Sequence, residues 1–325
     1  MRAVQVTDPG RVEIADLSPP VSAPGEVLIE VAAAGICGTD RRLASRGSHP
    51  PRIPGHEAAG QLPDGTMVGL HPDVGCGTCV QCRAGFENRC PDRQAIGLTR
   101  DGGMAEQMVV PDDHAIPLEG VPVELAPLLE PLSCCVHAVS LLDPVPDSPA
   151  MVVGAGPMGI LTMWVLQARR CPVVMVQRSH HRRQLAADLG ADAVCSPGED
   201  PAEALGEPPV AAVVTAPTAA ALALALEQVA VGGRVHAFAG IPGGGMVDVN
   251  TVHYRHLTLI GSTGSRVSDY RAARDLVRDG KVPLDRLPVV RRLLKEAPSV
   301  LMETGPDDFK TLIDIQGGHP DDSEP

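Results

Sequence analysis

The chain has few aromatic residues and no long apolar segment. Aromatic residues account for 2% of its 325 positions, so its core must be built mainly from Ala, Val and Leu. No apolar run approaches the roughly 20 residues that a membrane-spanning helix needs. The first residues, MRAVQVTDPG, also lack the basic and apolar segments of a secretory signal. We therefore expect a cytoplasmic protein without a membrane-spanning helix.

An excess of basic residues is absent as well. The chain has 27 Lys and Arg against 40 Asp and Glu, which gives a formal net charge of −13. This balance argues against nucleic acid or an anionic membrane surface as a main partner. With 325 residues and 44% hydrophobic content, the chain can form two domains that each have a core.

Cysteine clustering favours a metal site over a disulfide framework. The chain has nine cysteines, and an odd count with tight clustering suits a reducing compartment. Four of them follow the spacing C-x2-C-x2-C-x7-C, namely Cys76, Cys79, Cys82 and Cys90. Four thiolates on one loop can complete a tetrahedron around a structural zinc. The alternative is a set of free thiols in a lobe that has lost its metal.

A second, mixed group of possible ligands comes from separate segments. Cys37 lies in GICGTD, His56 and Glu57 follow each other in PGHE, and Glu130 lies in LLEPLS. Zinc accepts such a sulfur, nitrogen and oxygen set where it is catalytic, because one position stays open for water or substrate. These residues predict a catalytic zinc site.

Three more residues of types that can bind metals lie in an apolar helical pattern. Cys134, Cys135 and His137 fall within the segment ELAPLLEPLSCCVHAVSLL. A metal role is one alternative, but we expect them to be core residues of a buried helix.

Strands and helices alternate in the second half of the chain, which predicts an α/β fold with a doubly wound parallel sheet. The turn GAGPMG follows an apolar strand and opens a helix, and Gly154, Gly156 and Gly159 fit G-x-G-x-x-G. In this context the glycines let a dinucleotide pyrophosphate approach the helix N-terminus. We expect Pro157 and Met158 to contribute to the same cofactor site.

The end of the second strand of this sheet selects between NAD and NADP. An NAD site usually has Asp or Glu there, which binds the ribose hydroxyls. This chain has Gln177 instead, followed by Arg178 and Ser179, with Arg182 nearby. A guanidinium can pair with a 2′-phosphate, which a carboxylate would repel. We expect these four residues to contact the cofactor and favour NADP over NAD, the alternative being a solvated helix start.

With Cys37, the pair His56 and Glu57, the four-cysteine lobe and GAGPMG in this order, the chain resembles the zinc-dependent medium-chain alcohol dehydrogenases. GHE, DGGMAEQMVVP and LLEPLS resemble the sorbitol and threonine dehydrogenase branch, and the resemblance extends from MRAVQV to FKTLIDI. It implies a GroES-like, mostly β catalytic domain and a Rossmann domain, as well as a homodimer or homotetramer. The implied ranges are 1–147 and 282–325 for the catalytic domain, 74–92 for its structural zinc lobe and 148–281 for the Rossmann domain.

The resemblance implies two zinc ions per chain and names the ligands of the catalytic one. Cys37 and His56 would hold this zinc, and either Glu57 or Glu130 would complete the set, directly or through water. Cys37, His56 and Glu57 are thus expected catalytic residues, together with a hydroxyl residue that follows the cysteine.

That hydroxyl residue is Thr39, which would accept the alcohol proton through a hydrogen bond. Asp40 corresponds to the family's acidic residue that supports the site from behind the ligands. One position departs from the family: where a histidine often passes the proton to solvent, this chain has Arg42. Because arginine does not titrate in this range, the proton must leave by another route, or Arg42 binds an anion of cofactor or substrate.

The predicted function is a zinc-dependent dehydrogenase that moves hydride between a secondary alcohol and NADP or NAD. The loop after the cysteine is polar, which favours a polyol, sugar alcohol, aminocyclitol or amino alcohol over an apolar substrate. Its polar residues are Arg41, Arg42, Ser45, Arg46 and Ser48. Simple solvent exposure of these residues is the alternative. Two other functions stay open, a non-catalytic zinc and nucleotide-binding module and a zinc-free quinone reductase.

Overall fold

A computed structural model of the chain describes residues 1–303 and 309–317, so the predicted segment 282–325 lies partly outside the described residues. The strands of the described residues are β1 (Arg2–Val6), β2 (Val12–Asp16), β3 (Glu26–Ile36), β4 (Glu57–Gln61), β5 (Met67–Leu70), β6 (Asp73–Val74), β7 (Gln94–Ala95), β8 (Gln107–Pro111), β9 (Ala115–Pro117), β10 (Ala150–Val153), β11 (Val173–Val176), β12 (Ala193–Cys195), β13 (Ala211–Val214), β14 (Arg234–Ala237), β15 (Thr258–Gly261), β16 (Val290–Leu293) and β17 (Thr311–Asp314). Their α-helices are α1 (Gly38–Arg46), α2 (Val80–Arg83), α3 (Leu129–Leu142), α4 (Pro157–Ala168), α5 (His180–Asp188), α6 (Pro201–Leu205), α7 (Ala219–Gln228), α8 (Val249–Tyr254), α9 (Val267–Arg278) and α10 (Ala297–Met302). Single 3-10 turns occupy Glu87–Arg89, Asp112–His114, Ala126–Leu128, Leu284–Arg286 and Leu294–Glu296.

The first of two compact units is built on a mixed, mostly antiparallel sheet. It comprises Met1–Glu130, Ser265–Arg278 and Pro288–Pro325. The sheet has the strand order β16-β17-β3-β4-β5-β9, and β8 also pairs with β3. Small and β-branched side chains such as Val31 and Ala34 bury the inner face of this sheet, as the shortage of aromatic residues predicts.

The second unit is a doubly wound parallel sheet. It comprises Pro131–Gly264 and Asp279–Leu287. Its six strands have the order β12-β11-β10-β13-β14-β15, all parallel. All residues of β10, β11 and β13 are buried, which explains their continuous apolar sequences, because parallel strands are covered on both faces. The predicted fold class is confirmed.

The compact units do not have the limits of the predicted domains. Helix α9 belongs to the first unit and most of α3 to the second. Arg274 of α9 donates a hydrogen bond of 3.0 Å to the carbonyl of Pro117 in that first unit. The domain limits at 147/148 and 281/282 stay a prediction. No helix within residues 1–303 and 309–317 is long and apolar enough to cross a membrane.

Helix α1 occupies the start of the segment after Cys37, for which the sequence indicated a loop. It has nine residues, and its first turn is capped by Asp40, whose Oδ2 accepts a hydrogen bond of 2.8 Å from the backbone N–H of Cys37. The carboxylate satisfies an N–H group at the helix start, where such groups have no partner within the helix. This contact fixes the backbone directly beside Cys37.

Candidate metal centre and cofactor site

Neighbouring strands of the first sheet bring the predicted catalytic residues together. In register, Gly35 of β3 lies opposite Glu57 of β4. Cys37 follows the last residue of β3, and His56 precedes the first residue of β4. The ligand atoms of Cys37, His56 and Glu57 all lie within 4.8 Å of one another. The fold thus assembles a thiol, an imidazole and a carboxylate.

Gly35 makes room for the carboxylate of this group. A Cβ atom at this position would lie 2.0 Å from Oε2 of Glu57 and 3.0 Å from its Cβ. Contacts of this length are not tolerated, so any side chain at position 35 would displace Glu57 from the group.

Asp40 orients the imidazole. Its Oδ1 lies 3.2 Å from Nδ1 of His56 and accepts a hydrogen bond of 3.1 Å from the backbone N–H of Gly55. Burial disfavours a charged Asp40, but the His56 charge and these hydrogen bonds lower the pKa of the carboxyl below its usual value. With Nδ1 bonded to Asp40, Nε2 is the ring nitrogen left for a metal, an arrangement common among metal-binding histidines.

The carboxylate of Glu57 is paired with a residue from the other end of the chain. Nζ of Lys310 donates a hydrogen bond of 2.7 Å to Oε1 of Glu57 and another of 3.1 Å to the carbonyl of Ile36. Both charged side chains are buried. Burial disfavours the ammonium, but the charges of Glu57 and Cys37 keep the pKa of Lys310 above its usual value. Lys310 therefore balances negative charge beside the candidate metal ligands.

Glu130 lies in the same electrostatic environment but outside the group of three. Burial raises the pKa of Glu130 to about 7; the charge of His56 opposes this, while those of Glu57 and Asp73 add to it. Among the described residues, the ligand atoms that meet within 4.8 Å at this site are those of Cys37, His56 and Glu57.

The residues of this site fit a zinc ion. They supply sulfur, nitrogen and oxygen donors, and Cys37 is only partly buried, whereas His56 and Glu57 are buried. Three protein donors leave a fourth position for water or substrate, as in catalytic zinc sites. The donor set, its mutual distances and the orienting Asp40 are together what such a site requires.

The four clustered cysteines form a second group. The sulfur atoms of Cys76, Cys79, Cys82 and Cys90 lie within 4.8 Å of one another. Backbone N–H groups point at three of these sulfurs at 3.3–3.4 Å. Hydrogen bonds from Thr78 lower the pKa of the Cys76 thiol to about 6, which favours the thiolate that zinc requires, whereas burial raises the pKa of the Cys82 thiol to about 12. This geometry fits a structural zinc, and all nine cysteines are free thiols.

The helix α3 carries the candidate ligands that we expected to be core residues. Cys135 and His137 are fully buried and Cys134 is partly buried. None of the three belongs to a possible metal group among the described residues.

The glycine turn lies at the point where the order of the parallel strands reverses. Gly154 follows β10, whose neighbours β11 and β13 continue in opposite directions. Gly154 has φ +115°, which few other residues adopt, and a Cβ at Gly159 would lie 1.9 Å from the carbonyl oxygen of Gly154. A Cβ at Gly156 would meet only Arg182, at 3.8 Å, among the described residues. The backbone at Gly156 is therefore open to a ligand, as dinucleotide folds require.

Pro157 and Met158 open the helix of this turn. Pro157 is the first residue of α4, with Gly156 as its N-cap. The first N–H groups of a helix point away from its body, and an anion such as a pyrophosphate binds them well. Both predicted residues thus lie at the expected end of the helix.

The cationic segment after β11 has one structural arginine and two exposed ones. Nη1 of Arg183 donates hydrogen bonds of 2.7 Å to the carbonyls of Gln177 and Arg178, so this guanidinium stabilises the segment itself. Oε1 of Gln177 accepts a hydrogen bond of 2.7 Å from the backbone N–H of Arg178, so the Gln177 side chain folds back onto the backbone. The side chains of Arg178 and Arg182 are exposed.

Ser179 caps the helix that follows this segment. The Oγ atom of Ser179 accepts a hydrogen bond of 3.4 Å from the backbone N–H of Arg182. The hydroxyl proton of Ser179 can therefore be donated to a ligand. No carboxylate occupies the positions from Gln177 to Arg183, so the segment offers donors and positive charge where the ribose of a dinucleotide binds.

In the loop after Cys37, the polar residues have distinct contacts. Arg42 Nη2 donates 2.7 Å to Oγ1 of Thr39. The side chain of Arg41 instead donates to the carbonyls of Val300 and Glu303. The side chains of Ser45 and Arg46 are exposed, as is that of Arg42.

Sequence reasoning missed two charged residues of the site. Lys310 is the second residue of the segment FKTLIDI and directly precedes β17, and a lysine just before an apolar strand was its one signal. Asp73, which is 4% exposed, accepts 2.7 Å from Arg93. Burial raises the pKa of Asp73, with Arg93 opposing. Neither residue belongs to a motif of the sequence.

Comparisons with known proteins agree with this geometry. The model of the alcohol dehydrogenase GroES-like domain matches residues 23–120, and that of the zinc-binding dehydrogenases matches residues 157–279. L-threonine 3-dehydrogenase of Pyrococcus horikoshii is 33% identical over 315 residues, which cover 88% of this chain and 89% of the relative. D-altritol 5-dehydrogenase of Agrobacterium fabrum is 35% identical over 218 residues, 61% of this chain and 65% of the relative.

A solved structure gives the same result. A protein of Sinorhizobium meliloti assigned as a zinc-binding dehydrogenase, solved bound to NADP, has a TM-score of 0.89 at 30% identity. The match covers 97% of this chain and 99% of the other. The predicted enzyme class, an oxidoreductase that acts on an alcohol with zinc and a nicotinamide cofactor, is confirmed. Sequence motifs, sheet topology and relatives agree, and the chain therefore belongs to the zinc-dependent medium-chain alcohol dehydrogenase family.

Proposed function

We propose that this chain oxidises a secondary alcohol of a small polar substrate, a polyol, sugar alcohol, aminocyclitol or amino alcohol, and passes the hydride to NADP. The observation that carries the proposal is the group formed by Cys37, His56 and Glu57, whose ligand atoms lie within 4.8 Å of one another. The named activities of relatives support the substrate class, since they include dehydrogenases of threonine, altritol and galactonate.

The chain's own residues would share the work at this site. Cys37, His56 and one buried glutamate would hold a catalytic zinc, which when bound supplies a Lewis acid that polarises the alcohol oxygen. Asp40 keeps the imidazole in one orientation, and Lys310 offsets the negative charge of Glu57. With fewer thiolates than a four-cysteine site, this set leaves more positive charge on the metal.

A second, structural zinc would be held by the cysteine lobe, whose four sulfurs meet the donor requirement. It would stabilise residues 74–92 and take no part in the reaction. The sequence of the lobe supplies few apolar side chains for a core of its own, and metal binding contributes folding free energy in such segments.

NADP is the proposed cofactor because the segment after β11 lacks an acid and presents Arg178, Ser179 and Arg182. Gly154, Gly156 and Gly159 would admit the pyrophosphate, with Pro157 and Met158 opening the helix behind it. Gln177, at the position of the usual acid, has its side-chain oxygen bonded to its own backbone segment. A relative solved with NADP supports this choice.

We also propose a cytoplasmic homodimer or homotetramer. Nine free thiols suit a reducing compartment. The edge strand β15 exposes Leu259, and an uncovered strand edge favours pairing with another chain.

The test is a paired assay on purified protein of known zinc content. NADP and NAD are tested separately with polyols, inositols, aminocyclitols, threonine and simple alcohols, and the absorbance of the reduced cofactor is followed. We expect turnover with a polar alcohol and a preference for NADP. Two zinc ions per chain without turnover on any alcohol would contradict the proposal.

Zinc affinity decides between the two glutamates. Glu57→Gln and Glu130→Gln each keep the side-chain shape and remove the charge. The direct ligand is the residue whose substitution releases the catalytic zinc at the lower chelator concentration. The cysteine lobe of the same protein supplies the internal reference, because its zinc should stay bound in both variants.

A further inference from the structure

The contact between Arg42 and Thr39 restricts what Thr39 can do in the reaction. Both residues lie on α1, three positions apart, and therefore on the same face of the helix. Nη2 of Arg42 is 2.7 Å from Oγ1 of Thr39. A guanidinium has five donors and no acceptor, whereas a hydroxyl has one donor and two acceptor positions. Thr39 must therefore be the acceptor in this bond.

Two other observations describe the surroundings of this guanidinium. A Cβ at Gly38 would lie 3.6 Å from Nη1 of Arg42, so the side chain folds back toward the start of the helix, next to Cys37. Among the described residues, Arg42 has no carboxylate partner and Thr39 donates no hydrogen bond. The neighbouring charged side chains have other partners. Asp40 is hydrogen-bonded to His56, and Arg41 donates hydrogen bonds to backbone carbonyls.

We propose that Arg42 is a positioning residue that fixes the Thr39 hydroxyl as a hydrogen-bond donor to the reacting oxygen of the alcohol. The inference rests on the proposed dehydrogenase function. It replaces the expected role of Thr39 as a proton acceptor, because a proton that reached Thr39 would find no acceptor on Arg42.

The chemistry balances without a protein relay. The alcohol loses its O–H proton to water and its C–H hydride to the nicotinamide, which gives the carbonyl compound, the reduced cofactor and one proton. The Thr39 hydroxyl then stabilises the oxygen that has lost its proton, and the positive charge of Arg42 strengthens this bond. In the reverse direction the same hydroxyl polarises the carbonyl group.

The experiment compares the pH dependence of kcat/KM for alcohol oxidation in four proteins. Arg42→Met removes the charge and the donor, Arg42→Lys keeps the charge, and Arg46→Met is the matched control on the exposed end of the same helix. We expect Arg42→Met to move the rising limb of the profile about one pH unit upward, which is about a tenfold loss at neutral pH. Arg42→Lys should recover most of this loss, and Arg46→Met should match the unsubstituted protein.

A double-mutant cycle tests whether Arg42 acts through Thr39. If it does, Arg42→Met costs much less in a Thr39→Val protein than in the unsubstituted one, because the hydroxyl that it orients is gone. Losses that multiply independently would overturn the inference, as would an unchanged pH profile in Arg42→Met.

Binding measurements separate this role from others. The zinc content and the dissociation constant of NADPH, followed by its fluorescence, should not change in Arg42→Met. Weaker NADPH binding with an unchanged pH profile would show that Arg42 contacts the cofactor. This result would overturn the inference about Thr39 but not the proposed function. Absence of turnover in the unsubstituted protein with every alcohol would overturn the proposed function and this inference with it.

Discussion

Lys310 donates a hydrogen bond of 2.7 Å to Oε1 of Glu57, and the two residues are 253 positions apart in the sequence. Both side chains are buried beside Cys37 and His56. Strand β17 places the lysine next to β3, and β4 places the glutamate on its other side. The ammonium of Lys310 thus offsets the negative charge of this buried carboxylate from within the protein.

Removal of the lysine should destabilise the first unit. Lys310→Met leaves Glu57 buried without its partner, and breaking such a pair costs about 3–5 kcal/mol of unfolding free energy. Chemical denaturation of the zinc-free protein measures this loss. The exposed Lys295→Met is the matched control and should cost little. A double variant with Glu57→Gln should regain part of the stability, and no recovery would contradict the role of the pair.

Cys37→Ala should reduce bound zinc from two ions per chain to one and abolish turnover. A catalytic zinc cannot be held by the remaining imidazole and carboxylate with comparable affinity. Cofactor binding, measured by NADPH fluorescence, should stay nearly unchanged. Cys134→Ala is the control, since Cys134 belongs to none of the candidate metal groups found within residues 1–303 and 309–317. Turnover in a Cys37→Ala protein with verified zinc content would refute the assignment.

The cysteine lobe should lose its zinc independently of the catalytic site. Cys79→Ser should leave one zinc per chain, make residues 74–92 sensitive to limited proteolysis and lower the melting temperature, because the metal supplies much of the lobe's folding free energy. Metal analysis together with mass spectrometry of the fragments measures both effects. An unchanged zinc content would contradict a metal at this group.

The free energy of unfolding should decrease as the pH is lowered, because His71 is buried next to His114. Nε2 of His71 lies 3.1 Å from the carbonyl of Ser265, and its Nδ1 lies 3.3 Å from Nδ1 of His114. Burial, with a contribution from His114, lowers the pKa of His71 from 6.5 to about 3. The unfolded chain therefore binds a proton that the folded chain does not, below pH 6.5.

The sign of this effect follows from linkage. The contribution of a neutral His71 is fully present above pH 6.5 and is lost toward pH 3, at about 1.4 kcal/mol per pH unit. Unfolding free energies at pH 7, 6 and 5 should fall more steeply in the unsubstituted protein than in His71→Gln. The exposed His180→Gln should not alter the slope. Equal slopes in all three proteins would show that His71 does not resist protonation.

Cofactor selection should depend on Arg178. Arg178→Ala should raise KM for NADP about tenfold and leave KM for NAD nearly unchanged, because a charge-assisted bond to the 2′-phosphate is lost. Steady-state kinetics with both cofactors measure the ratio. Arg169→Ala, an exposed arginine at the end of α4, is the control. Equal losses for both cofactors would assign Arg178 to a part that the two cofactors share.

Most of the fold could be predicted because its signals are local. Apolar strands that alternate with helices indicate a parallel sheet, and six of the strands expected in the second half are found. The segment around Arg42 is an exception. A helix of nine residues forms there because Asp40 caps it, and a cap that also serves a distant histidine cannot be identified from propensity.

The sequence by itself determined the classes of chemistry. The spacing from Cys76 to Cys90 is a metal signal and GAGPMG is a dinucleotide signal, because each requires neighbouring residues only. GICGTD and PGHE supply a mixed donor set from two separate segments. The tertiary structure decided which partners these residues have. Lys310 meets Glu57 through the register of β17, β3 and β4, which leaves no periodic pattern in the sequence. Pairing between distant strands is set by the packing of the whole sheet, so the charge balance of the site is a property of the fold.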